Sequence, residues 1–72
     1  MTDGVTVDDR IAFGRPCIAG TGIPTEIIAE RFRAGDSIAS LVWDYRVRQV
    51  QIEAALRYEL LRRRPNGRRV RR

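Results

Sequence analysis

Gly14-Arg15-Pro16-Cys17-Ile18-Ala19-Gly20-Thr21-Gly22-Ile23-Pro24-Thr25 divides this chain into two parts with different periods. Three glycines and two prolines in twelve residues cannot continue a helix. Glycine loses too much backbone entropy there, and proline lacks the donor and clashes with the preceding turn. The stretch therefore reads as turn and short strand, with extended pieces near Cys17-Ile18 and Gly22-Ile23 joined by a turn at Ala19-Gly20-Thr21. Beyond it, Ile28, Phe32, Leu41, Val42, Tyr45, Ile52, Leu56 and Leu60 recur at intervals of three and four, the mark of amphipathic helices. Before it, Val5-Thr6-Val7 alternates apolar and polar, Asp8-Asp9-Arg10 interrupts, and Ile11-Ala12-Phe13 follows, which predicts one or two short strands. A β arm over residues 5–24 thus feeds a helical body.

A glycine-rich loop entering a helix also invites a phosphate-binding reading. The lysine of a P-loop is missing and no long apolar strand precedes the glycines, so the arm reads as structural.

Helix one is predicted over about residues 25–34, with Thr25 as N-cap, Glu26 in the first turn and Gly35 as the left-handed terminator. Ser37 caps a second helix over about 38–44, with Ile38, Leu41, Val42 and Tyr45 on its apolar side. The third spans about 48–63, stopped by Pro65-Asn66-Gly67. Its apolar arc is wide, so it has more than one neighbour to cover, and Glu53 and Arg57 stand at the i,i+4 spacing of an ion pair.

Leu41, Tyr45, Val47, Ile52 and Ala55 fall where a helix-turn-helix needs its buried contacts, with the turn at Tyr45-Arg46-Val47. In that reading Arg46, Arg48, Gln49, Gln51 and Glu53 face a major groove, Arg toward guanine and Gln toward adenine edges. The alternative is a three-helix packing unit with a solvated polar face, because the same geometry also packs short helices. Trp43 lies roughly opposite the Leu41/Tyr45 side and reads as an exposed interface anchor, or as a cover over the core rim. Cys17 reads as a small buried hydrophobe rather than a reactive thiol.

The chain holds 72 residues with 14 basic side chains, all Arg, against 9 acids, a net charge of +5. Seven of those arginines (Arg62, Arg63, Arg64, Arg68, Arg69, Arg71 and Arg72) fall after residue 61, where no acid occurs. The first 61 residues hold the other seven against all nine acids, a balance of −2. The basicity is a tail on a mildly acidic body. Residues 65–72, with one apolar side chain, are expected to be disordered, leaving 1–64 as the domain. An acidic partner suits this tail, either a phosphate backbone or a protein carboxylate cluster.

One Cys and no His exclude an internal disulfide and a structural zinc. No nucleophile–base set or carboxylate pair is present, so an enzyme, a cofactor and a metal centre are not expected. No apolar run matches a membrane span or a signal peptide, which predicts a cytoplasmic protein. A chain this short removes only about 60% of its unfolded surface from water. Self-association is a natural further source of stability, and the strand edges at Val5, Val7, Cys17, Ile18 and Ile23 are where a homodimer is expected.

The run from Gly14 to Thr25, then Arg31-Phe32-Arg33-Ala34-Gly35, Asp44-Tyr45 and Ala55-Leu56-Arg57-Tyr58-Glu59, resembles a family of short bacterial proteins catalogued as domain of unknown function 433. The resemblance covers about residues 5–60. It implies a homeodomain-like or winged-helix-like small α fold with an N-terminal β arm, acting as an antitoxin. The partner it implies is a PIN-like nuclease toxin, with Trp43 and Arg62, Arg63, Arg64, Arg68, Arg69, Arg71 and Arg72 as the residues available to bind it. Operator DNA is the second expected partner. At positions where that family often carries Arg, Gly and Pro, Ser or Thr, this chain has Gly22, Arg46 and Arg48. A free-standing helix-turn-helix regulator and a dimerisation module are the alternatives.

Overall fold

A computed structural model of the protein describes residues 4–63, and for Arg63 its backbone alone. The tail expected to be disordered, with Arg64, Arg68, Arg69, Arg71 and Arg72, lies outside the described residues. The fold is mainly helical: β1 (Val5–Thr6), β2 (Cys17–Ile18), α1 (Thr25–Arg33), α2 (Ile38–Tyr45) and α3 (Gln49–Arg63) follow in order. No helix among the described residues is long and apolar enough to cross a membrane.

β1 and β2 pair antiparallel, Val5 opposite Ile18 and Thr6 opposite Cys17. On its other side β2 meets the returning chain, through an antiparallel bridge from Cys17 to Pro24 and an Ile18 N–H donating to the Ile23 carbonyl at 2.9 Å. The glycine-rich stretch is thus a tight loop around β2. Thr21 ties it, its hydroxyl donating to the Ile18 carbonyl at 2.8 Å and accepting from the Ile23 N–H at 3.0 Å. Both edges of β2 are occupied, and the Cys17 and Ile18 side chains are fully buried. Their expected role at a dimer interface is therefore corrected: they are core. Ile23 also packs inward and Val5 is half-buried, while Val7 remains exposed.

The three helices close over this loop. Ile18, Ile28, Leu41, Val47, Ile52 and Ala55 form the buried core, with Ile23, Ile38, Val42, Tyr45 and Leu56 packed against it. α3 touches α1, α2 and both strands, which accounts for its wide apolar arc.

Two local expectations are corrected. Ile11-Ala12-Phe13 is not a strand, because residues 12–14 form a turn in which Ala12, Phe13 and Gly14 all have positive φ. Thr25 is not an N-cap. It begins α1 behind an extended Pro24, and its buried hydroxyl donates to Glu59 Oε2 at 2.6 Å. That carboxylate, almost wholly removed from water, takes the hydroxyl proton in a charge-assisted bond.

The end of α1 follows its sequence. Gly35 sits at φ 112°, with its N–H donating to the Phe32 carbonyl at 3.1 Å and the Asp36 N–H to the Arg31 carbonyl at 3.0 Å, a Schellman closure. Arg31 then bridges onward, its guanidinium 2.7 Å from Asp36 and 2.7 Å from Asp44 and lying over the Tyr45 ring. Tyr45 first, then Asp44 and Asp36, hold Arg31 firmly in its charged form. This cluster ties the end of α1 to the end of α2.

Candidate nucleic-acid interface

Ser37 caps α2 as its sequence requires, its hydroxyl accepting from the Ser40 N–H at 3.0 Å. The helix stops at Arg46, which takes the left-handed conformation (φ 58°, ψ 43°) and turns the chain into α3. Val47 then enters the core beside Leu41, Ile52 and Ala55, with Tyr45 half-buried at the edge. Of the contacts read from the spacing, Leu41, Val47, Ile52 and Ala55 are core and Tyr45 packs against it, an arrangement that a helix-turn-helix and a three-helix packing unit share.

What this geometry leaves on the outside differs from the sequence reading. Arg46, Arg48 and Gln49 are exposed together at the turn and at the start of α3. Gln51 is not available with them: its Oε1 accepts the Arg48 N–H at 2.7 Å, the reciprocal half of a capping box. Glu53 accepts from Gln49 Nε2 at 2.9 Å. The expected Glu53–Arg57 ion pair is absent among the described residues, because Glu53 turns toward the preceding helical turn instead. Val50 and Arg57, overlooked in the sequence, complete the face, both exposed on the side of α3 that points away from the core. Helical spacing from Gln49 and Glu53 is the signal that would have found Arg57. Arg48, Val50 and Arg57 also flank a groove of about 450 Å³ between α3 and the arm, floored by Gly4, Ala19 and Ala54.

Trp43 is three-quarters exposed, with the Arg46 guanidinium 5.8 Å from its ring centroid. It therefore belongs with the turn. Arg62 stands at the other end of α3, about 20 Å away along the helix axis. There it is 3.4 Å from Glu59 and lies over the Tyr58 ring. Of the partner-binding set expected from the sequence, the two described side chains thus stand apart, Trp43 on α2 beside the turn and Arg62 in the last turn of α3. Near Arg62 an apolar groove of about 460 Å³ opens between α1 and α3, lined by Ala29, Phe32, Arg33, Leu56, Glu59 and Leu60. Phe32 and Leu60 are exposed there.

The site offers guanidinium groups, one amide side chain and an aromatic ring around a helix N-terminus, a set suited to phosphate oxygens and base edges. Among the described residues, no cluster of three or more His, Cys, Asp or Glu side chains could hold a metal ion.

The crystal structure of Rv2018 from Mycobacterium tuberculosis is similar to this chain, with a TM-score of 0.65 and 31% identity. The match covers 72% of this chain and 24% of that one, so this domain corresponds to about a quarter of the larger protein's length. No curated protein sequence matches. The model of the family described as protein of unknown function (DUF433) matches residues 5–58, from β1 through the loop around β2 to the Tyr58 turn of α3. With three-quarters of its length in that match, the chain belongs to the DUF433 family.

Proposed function

We propose that this protein is a cytoplasmic antitoxin that binds and silences a PIN-like nuclease and, with it, occupies the operator of its own gene. The observation that carries the DNA half is the helix-turn-helix with Arg46, Arg48, Gln49, Val50 and Arg57 exposed around the start of α3. Arg46 and Arg48 engage phosphate and guanine, Gln49 reads adenine, and Val50 offers an apolar contact to a thymine methyl. The protein half is supported by the resemblance noted in the sequence and by the exposed apolar groove at the opposite end of α3, since contiguous apolar surface marks a protein contact. The tail arginines beyond that end suit the acidic metal site of a nuclease, where a guanidinium pairs with carboxylates and excludes the metal.

A free-standing transcriptional regulator is the second reading, favoured by the reading face being complete within one chain. Fluorescence anisotropy on DNA from upstream of the gene separates them, measured with and without the co-expressed neighbouring gene product. Specific binding that needs Arg46 and Arg48 in both states, tightened by the partner, supports the antitoxin reading. If the Arg46→Ala/Arg48→Ala double variant binds the upstream DNA as the parent does, the assignment of this face is wrong.

A further inference from the structure

Ala12, Phe13 and Gly14 have φ values of 52°, 59° and 83°, three left-handed residues in succession. Side chains with a Cβ rarely adopt this conformation, and strain of this kind persists where it serves a contact. The turn is nevertheless firmly held. The Ile11 N–H donates to the Asp8 carbonyl at 2.9 Å, and the Arg15 N–H donates to Ala12 at 3.2 Å. The Asp8 carboxylate takes the backbone N–H of Arg10 at 2.9 Å and its guanidinium at 3.1 Å. The product of this construction is Phe13, 97% exposed. A strained turn that places a phenyl ring in water does nothing for the isolated protomer.

The same arm carries a place for such a ring. A shallow, mostly apolar pocket of about 400 Å³ is lined by Thr6, Ile11, Cys17, Gly20, Thr21 and Gly22. Gly20, at φ 80°, answers a demand of the backbone. Gly22 does not: its φ is not left-handed, and a Cβ built there meets nothing within 4 Å. Nothing inside the protomer requires glycine at 22, and its bare backbone is open to a flat group approaching from outside. Beside the pocket, the outer edge of β1 pairs with no described residue.

Charge decides between occupants. Residues 4–24 hold two acids (Asp8, Asp9) and two arginines (Arg10, Arg15), a net charge of zero. A neutral face neither attracts nucleic acid nor steers a charged partner. It does permit self-contact, and across a two-fold axis the ring of each copy can meet the pocket of the other. We propose that the arm is a homodimer interface, in which Phe13 of each protomer seats on the Gly20-Thr21-Gly22 pocket of the other and the β1 edges run antiparallel across the axis. Two phenyl rings and short strand edges make a small contact, at the low end of the areas that specific interfaces bury, so the dimer forms in the micromolar range. The inference stands apart from the antitoxin reading, because it concerns a different surface and is read from mass alone.

Sedimentation of the full chain from low to high micromolar concentration tests it. The parent protein should pass from 8.3 kDa to twice that mass. Phe13→Ala and Gly22→Leu should each weaken association about tenfold or more, with circular dichroism unchanged, since neither position packs inside the protomer. Mixing the two variants should restore part of the dimer, because the mixed pair keeps one intact ring-in-pocket contact. A parent that stays monomeric throughout, variants that dimerise as the parent does, or a mixture no better than its parts would each overturn the proposal.

Discussion

Thr25 and Glu59 stand 34 residues apart in the chain and 2.6 Å apart in space. One hydroxyl proton and one carboxylate oxygen, both buried, fasten the start of α1 to the far part of α3, while the Thr25 N–H reaches the Pro16 carbonyl of the arm at 2.9 Å. Replacing Thr25 by Val keeps the shape and removes the donor, so the carboxylate retains only the longer contact to Arg62. A loss of about 1–3 kcal/mol in urea unfolding is expected, with most of it returned by Thr25→Ser. Arg46 bears on folding and function separately. Its left-handed backbone is easier for glycine, while its stacking on Trp43 is the weak kind found at exposed sites. Arg46→Gly should raise stability by up to about 1 kcal/mol and lower DNA affinity, and a clear destabilisation would mean that the turn depends on the side chain. At Asp8, the Arg10 guanidinium and then the Arg10 N–H hold the carboxyl below the ordinary aspartate value. The stabilisation of that turn is therefore complete above the unfolded aspartate value and is lost as pH falls through the lowered one. Carboxyl NMR should find Asp8 titrating below the ordinary aspartate value, and Asp8→Asn should abolish the effect.

Elements were legible in the sequence where their ends are marked locally. Ser37, Gly35 and the run from Arg48 to Gln51 set helix boundaries through contacts within a few residues, so α2, the end of α1 and the start of α3 fall where their residues predict. Ser37→Ala should cost about 0.5–2 kcal/mol, visible as a lower urea midpoint with unchanged slope. The arm was less legible. Ile11-Ala12-Phe13 has the composition of a strand, and its left-handed turn is dictated by Asp8 and by the return to β2 rather than by its own residues. Cys17 and Ile18 look like an edge strand until the chain from Thr21 to Pro24 is seen folding back alongside them. At the site, the exposed Arg46 and Arg48 followed from spacing, whereas Arg57 was read only as the partner of an ion pair. The diversion of Gln51 into a cap did not, because a polar side chain on a helix gives no sign of which backbone group it serves.

At the scale of the whole molecule, α3 is shared by two surfaces. Its first turns carry the exposed polar face, and its last turns carry the apolar groove beside Arg62. On the antitoxin proposal the first serves an operator and the second a toxin. Deleting residues 65–72 asks which of them the tail serves. On the nuclease reading the truncated chain loses inhibition of its partner; on the phosphate reading it keeps inhibition and loses the salt-dependent part of DNA binding, with a shallower slope of affinity against salt. The most direct measurement is co-expression of this gene with its chromosomal neighbours, followed by affinity purification and an assay of cell growth. The account predicts that a small acid-rich nuclease co-purifies with this chain, arrests growth when expressed alone, and is inactive in the complex. Recovery of this chain alone, bound to upstream DNA and with no neighbouring product that arrests growth, would contradict it.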